Sequence, residues 1–278
     1  MSIPPAMYSP QPPLPPEETL PTMYDLPSED PEEPGLPDEF HLFQPQLLRE
    51  TCQPTTYLPD QVFVGTDLNL YYDGRNTGWH KRPDWFVVLG IERARAQADL
   101  RWSYVIWQEL VSPFLVVELL SPGTEAEDLG RTLREVNQPP TKWQVYEQIL
   151  RVPYYAVFDR YNNHFRLFQL VGTRYEEQTL SERYYWFEEL ALGLGVWQGE
   201  YKGVQGQWLR WQAQDGQWVP TDGERAEQAQ QQAEQAQQQT QQAQQQAQQA
   251  QQQAQQALQR AEELAERLRA LGIDPENV

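Results

Sequence analysis

The spacing of apolar positions divides this chain into three regions. Short apolar runs closed by turn residues occupy residues 38–221. The clearest is Phe114 to Leu120, where six of the seven residues are large and apolar, ahead of Ser121-Pro122-Gly123. Such a run reads as a strand buried on both faces. Alternation predicts a strand over Gln61–Tyr72, an apolar strand over Trp85–Ile91, and an alternating strand over Trp102–Glu109. Tyr154–Phe158 reads as a buried strand ending at Asp159, and Asn162-Asn163 as the turn into a hairpin strand, His164–Leu170. Residues Tyr175–Gln198 are strand-like, and residues 201–221 form a final small hairpin. Arg93–Leu100 is a charged loop.

Helix signals punctuate these strands. Asp38 or Glu39 caps a helix through Leu48, bent or broken at Pro45. Thr124 with Glu127 suits a capping box opening a helix toward Val136. Thr141 with Gln144 suits a second one, opening a helix that Pro153 ends. Lys142 then lies in a first turn, with Tyr146 on the same face one turn on.

The flanks differ. Residues 1–37 hold twelve prolines, seven acids and no Lys or Arg, a composition that cannot offset its ordering entropy by burial, so a disordered tail is expected. From Ala226 to Leu271 apolar residues recur at strict 3-4 spacing, with Thr240 filling the one gap; alanine dominates until Leu264, Leu268 and Leu271. This is a coiled-coil seam, with Gly272 as its stop. Self-association through residues 226–271, as a homodimer, is the expectation. The predicted organisation is an acidic tail (1–37), one domain (38–221) and a Gln/Ala-rich helix (222–278).

Charge and composition narrow the function. The net charge is −19, the wrong sign for unaided phosphate binding. The single Cys52 precludes an internal disulfide. It has no cationic flanks and reads as inert. There is no apolar run long enough to span a membrane and no secretory leader pattern, so a cytoplasmic protein is expected. His41, His80 and His164 lack metal-ligand spacing and read as structural or exposed.

One residue breaks the apolar pattern. Glu118 lies inside the most buried strand, where an ionised carboxylate costs several kcal/mol unless paired or coordinated. Two partners are open: an arginine such as Arg131 or Arg134, or a metal ion shared with Asp84 at the entrance of the Trp85 strand. Two carboxylates make an oxygen site for Mg²⁺, and Lys142 beside it could hold or activate the attacking water. Taken singly, Asp84 also suits a turn cap and Lys142 a solvated first-turn position.

The order Pro83-Asp84, VVELLSPGTEAEDLG, Lys142-Trp-Gln-Val-Tyr146 and RVPYYAVFDR resembles a large bacterial family of restriction-endonuclease-like proteins in the PD-(D/E)XK nuclease superfamily. That family has an Asp after Pro, a Glu in VVEVLSP, a Lys four residues before a Tyr, and a GVPEYWVVD strand. The resemblance spans residues 40–200. It implies an α/β fold with a mixed central sheet flanked by helices. It also implies Mg²⁺-dependent hydrolysis of DNA, with Asp84, Glu118 and Lys142 catalytic. Asp84, Glu118 and the Leu119 carbonyl would be the metal ligands. The superfamily's usual lysine, two residues after the Glu, is Leu120 here; the lysine has moved to the helix. Arg131–Thr141 intervenes before Lys142, which leaves its reach open. Glu39 or Glu50 could supply the further N-terminal acid of such sites. The alternative is a catalytically inactive nuclease-fold protein that works as an oligomeric binding module through its coil.

Overall fold

The computed structural model describes residues 20–22, 25, 38–120, 125–132 and 138–270. They fall into two compact units that meet at Thr221 and Asp222. The described residues of the first unit form twelve strands: β1 (Val62–Thr66), β2 (Leu70–Tyr71), β3 (His80–Lys81), β4 (Trp85–Leu89), β5 (Tyr104–Val105), β6 (Leu115–Leu119), β7 (Tyr154–Asp159), β8 (His164–Val171), β9 (Arg174–Glu177), β10 (Tyr184–Phe187), β11 (Leu192–Tyr201) and β12 (Val204–Gln212). Its helices are α1 (Glu39–Thr51), α2 (Ile106–Glu109), α3 (Glu125–Asp128) and α4 (Lys142–Gln144). A π-helical turn, Val145–Ile149, continues α4.

The central sheet runs β1-β4-β6-β7-β8-β9. All its neighbours are antiparallel except β6 and β7, which are parallel. A parallel pair needs a crossover, and this one carries α3, α4 and the π turn. Strand period 2 gives the sheet two buried faces. Trp85, Val87, Val117, Leu119 and Phe158 pack with Leu47 and Leu48 of α1 and with Leu209 and Trp211 of a second sheet, β10-β11-β12. On the opposite face Phe86, Val88, Val116, Tyr155 and Val157 pack with Val145 and Tyr146 of the crossover and with Leu70 and Tyr104. The latter two belong to a small third sheet, β3-β2-β5. This is the mixed α/β, restriction-endonuclease-like architecture that the sequence predicts.

Several local expectations change. The strand expected over Gln61–Tyr72 is two strands, because Asp67 adopts a left-handed conformation with φ 48°. Arg82 grips its carboxylate at both oxygens, at 2.8 and 2.9 Å, and so stabilises a conformation unfavourable for a residue with a Cβ. The Trp102–Glu109 segment is a strand only at Tyr104–Val105; then it coils into α2, which Leu110 closes at φ 60°. Helix α1 passes through Pro45 to Thr51. The missing N–H removes one helical hydrogen bond, while burial of Gln44, Leu47 and Leu48 holds the helix. The last hairpin is β11–β12 over Leu192–Gln212, earlier than expected, with Trp218 bridging back to Gln212. Thr124, residues 133–137 and Leu271-Gly272 lie outside the described residues, so of the helix expected to run from Thr124 toward Val136 only α3 is described.

The described residues of the second unit form one continuous 49-residue helix, α5 (Asp222–Ala270), with no buried residue. Among the described residues no helix is long and apolar enough to cross a membrane.

Candidate functional site

The β4–β6 register sets the site. Trp85 pairs with Val117 and Phe86 with Val116. One step outward therefore places Asp84 opposite Glu118, on one face of the sheet, where Cβ atoms of facing residues are typically about 4.5–5.5 Å apart. One step further Pro83 faces Leu119, and proline has no N–H with which to continue the ladder. Side chains take over there. Asp84 Oδ2 accepts the Leu119 N–H at 2.6 Å. His41 Nε2 lies 3.1 Å from the Leu119 carbonyl oxygen; a carbonyl only accepts, so this nitrogen donates.

Glu118 is fully buried, and both its oxygens have partners. Tyr146 donates its hydroxyl to Oε1 at 2.8 Å, and Lys142 Nζ donates to Oε2 at 3.0 Å. The second capping box forms as read: Gln144 N–H donates to the Thr141 hydroxyl, and the Gln144 side chain accepts the Thr141 N–H. That start, followed by the π turn, aims Lys142 and Tyr146 at one carboxylate. Lys142 thus reaches Glu118 despite the Arg131–Thr141 segment, and it fills the place left open for an arginine. Its side chain is 19% exposed, well inside the protein rather than a solvated first-turn group.

A third carboxylate completes the cluster. Asp128, at the end of α3, lies with Oδ1 3.0 Å from Lys142 Nζ. This oxygen is buried and makes no directed hydrogen bond. Desolvation raises the pKa of Glu118 well above the carboxylate range, and it raises that of Asp84, with Lys142 opposing both. For Lys142 burial favours the neutral amine, but Glu118, Asp128 and Asp84 outweigh it and push the pKa well above its ordinary value. The lysine stays an ammonium.

Sequence reasoning missed Asp128, and it read His41 as structural or exposed without placing it beside β6. Asp128 follows two other acids, Glu125 and Glu127, and nothing local marks it. Its one signal is its place in the VVELLSPGTEAEDLG stretch that carries the resemblance. His41 is 2% exposed and bonded on both ring nitrogens, with Nδ1 2.9 Å from Asp38. Of the N-terminal acids considered, Glu39 is exposed, and Glu50 accepts hydrogen bonds from Gln46 and Tyr201. Asp38 is the acid connected to the site, through His41.

The donor set suits a hard divalent cation. Among the described residues no group of three or more His, Cys, Asp or Glu side chains is arranged to hold a metal ion. Two carboxylates with a backbone carbonyl would suit Mg²⁺, which is commonly held by one or two carboxylates with waters completing its shell. Carboxylate and carbonyl oxygens have spare lone pairs beside their hydrogen bonds. The cluster's carboxyl groups outnumber its one ammonium among the described residues. Either protons or a dication can offset the excess.

A family model described as "Uma2: Putative restriction endonuclease" matches residues 17–198, well over half of the chain. No curated protein matches the chain.

Proposed function

The chain belongs to the Uma2 family of restriction-endonuclease-like proteins, and on that footing we propose that it is a Mg²⁺-dependent endonuclease hydrolysing DNA phosphodiester bonds. The observation that carries this reading is the meeting of Asp84, Glu118 and Lys142, from the entrance of β4, from β6 and from the crossover, in one largely buried cluster. Asp84, Glu118 and the Leu119 carbonyl are the groups that would hold the ion. When bound, Mg²⁺ supplies a water of lowered pKa and offsets charge on the phosphate.

The protein's own groups divide the remaining work. Asp84 fixes the Leu119 peptide through its N–H while keeping its other oxygen for the ion. Tyr146 holds Glu118 in one rotamer. Lys142, a permanent ammonium, donates hydrogen bonds to the attacking water and to the phosphoryl oxygen where charge accumulates; it cannot serve as the base. A chain at −19 lacks the basic surface that usually draws in DNA. The cation and Lys142 must therefore supply much of the local attraction, and binding should be weak without metal. Titrating metal-free protein with Mg²⁺ by calorimetry tests the site. The expected result is one ion per chain for the native sequence and loss of binding in Asp84→Asn. Equal binding by both would remove Asp84 from the site.

The domain of residues 38–221 carries this chemistry in a cytoplasmic enzyme. We assign to the region of residues 222–278, which contains α5, the pairing of two chains, because cutting two strands needs two sites. Helix α5 has no buried residue, with Leu264 61% exposed, so its stripe is open to a second copy. Alanine buries little, and the leucine end dominates. Burying a leucine is worth about 1.5–3 kcal/mol, so Leu264→Ser with Leu268→Ser should weaken the dimer by roughly 100-fold or more. Light scattering should find a native dimer at micromolar concentration and a monomeric double variant; a native monomer would rule the pairing out.

A further inference from the structure

Both backbone polar groups of Leu119 are held by side chains: the N–H by Asp84 and the carbonyl by His41. We propose that His41 is a positioning residue of the candidate metal site, its Nε2–H fixing the Leu119 carbonyl oxygen in the orientation a divalent cation beside Asp84 and Glu118 requires. This rests on the reading of Leu119 as a ligand given above.

Three observations support the role. First, the residue in register with Leu119 is Pro83, which has no N–H to hold this carbonyl from β4. A donor from elsewhere has to do so, and it comes from a helix 78 residues away in sequence. Second, the imidazole has little freedom to turn. Its Nδ1 lies 2.9 Å from Asp38 Oδ1. The same Asp38 caps α1 by accepting the Phe40 and His41 N–H groups, and its other oxygen pairs with Arg160. The Phe40 ring packs edge-on to the imidazole at 5.9 Å. Third, the helix bearing the ring is anchored at depth. The Gln44 side chain both donates to and accepts from the Leu209 backbone, at 2.8 Å each way. The donor therefore sits on a rigid mount that reaches the site from the face opposite Lys142. A carbonyl oxygen with two lone pairs can accept this hydrogen bond and still ligate an ion, and outer partners of this kind orient ligands and tune affinity.

Two substitutions in the full chain separate positioning from support of the fold. In His41→Asn the amide can keep the Asp38 contact but falls short of Leu119. In His41→Gln the amide can reach the carbonyl. Mg²⁺ affinity by calorimetry and the kcat and KM of DNA cleavage are measured for both, with thermal unfolding as the check on folding. His41→Asn should lose about 10–100-fold in Mg²⁺ affinity and kcat, with KM for DNA little changed, and His41→Gln should recover most of that loss. Native affinity and kcat in His41→Asn would overturn the proposal, as would an equal loss in both variants. Asp84→Asn is the control. If it too binds Mg²⁺ as the native chain does, the metal site itself is wrong and the role of His41 falls with it; if it alone loses the ion, the site stands and only the His41 role fails.

Discussion

Lys142→Met should lower the kcat of Mg²⁺-dependent cleavage by about 10²–10³-fold, the usual cost of removing one preorganised donor from a transition state, while Mg²⁺ binds at least as tightly as before. The two effects separate because Lys142 repels a cation in the metal-bound state and attracts negative charge in the transition state. Its ammonium lies 3.0 Å from both Glu118 and Asp128, so its removal also leaves two buried carboxylates unpaired. Breaking a buried pair commonly costs about 3–5 kcal/mol. Glu118, whose pKa burial already raises, can reduce that cost by taking up a proton, so the variant should be most destabilised at alkaline pH and least at pH 5. Stopped-flow cleavage assays and pH-resolved thermal melts would check both parts. A cleavage rate equal to the native one would remove Lys142 from the mechanism.

Glu118→Gln should abolish Mg²⁺ binding and flatten the fall in stability of the metal-free protein as pH rises. Burial raises the Glu118 pKa well above its ordinary 4.5, so between that value and its folded value the native state binds more protons than the unfolded chain. Stability contributed by this proton is present in acid and lost as pH rises through the folded pKa. The neutral amide removes that slope while retaining an oxygen for the Tyr146 hydroxyl. For a domain of this size each kcal/mol recovered raises the melting temperature by about 2–4 °C. Mg²⁺ should raise the melting temperature of the native chain by mass action and leave that of Glu118→Gln unmoved. Identical pH slopes in the two proteins would show that Glu118 is not the group held against its preference.

The parts of the site legible in the sequence are those where a residue contradicts its surroundings. Glu118 stood out because a strand buried on both faces has no use for a lone carboxylate, and Asp84 because a proline precedes it at a strand entrance. The Thr141–Gln144 capping box placed Lys142 and Tyr146 on one helical face, and the structure turns that face to Glu118. What stayed hidden depends on contacts distant in sequence. His41 looks ordinary until α1 is laid against the end of β6. Asp128 is one acid among several until the crossover folds it onto Lys142. The same limit applies to the fold: the break at Asp67 depends on Arg82, fifteen residues on. The alternation over Trp102–Glu109 fits a strand as well as the strand-and-helix pair that forms, since runs this short do not distinguish the two.

Whether Asp84, Glu118 and Lys142 form a metal-dependent DNA-cleaving centre is decided by incubating the full-length protein with mixed-sequence genomic and supercoiled plasmid DNA in Mg²⁺ and in EDTA. Nicked and linear products are expected in Mg²⁺, none in EDTA, and none in Mg²⁺ from Asp84→Asn prepared identically. Intact DNA in every lane, or equal cleavage by Asp84→Asn, would contradict such a centre.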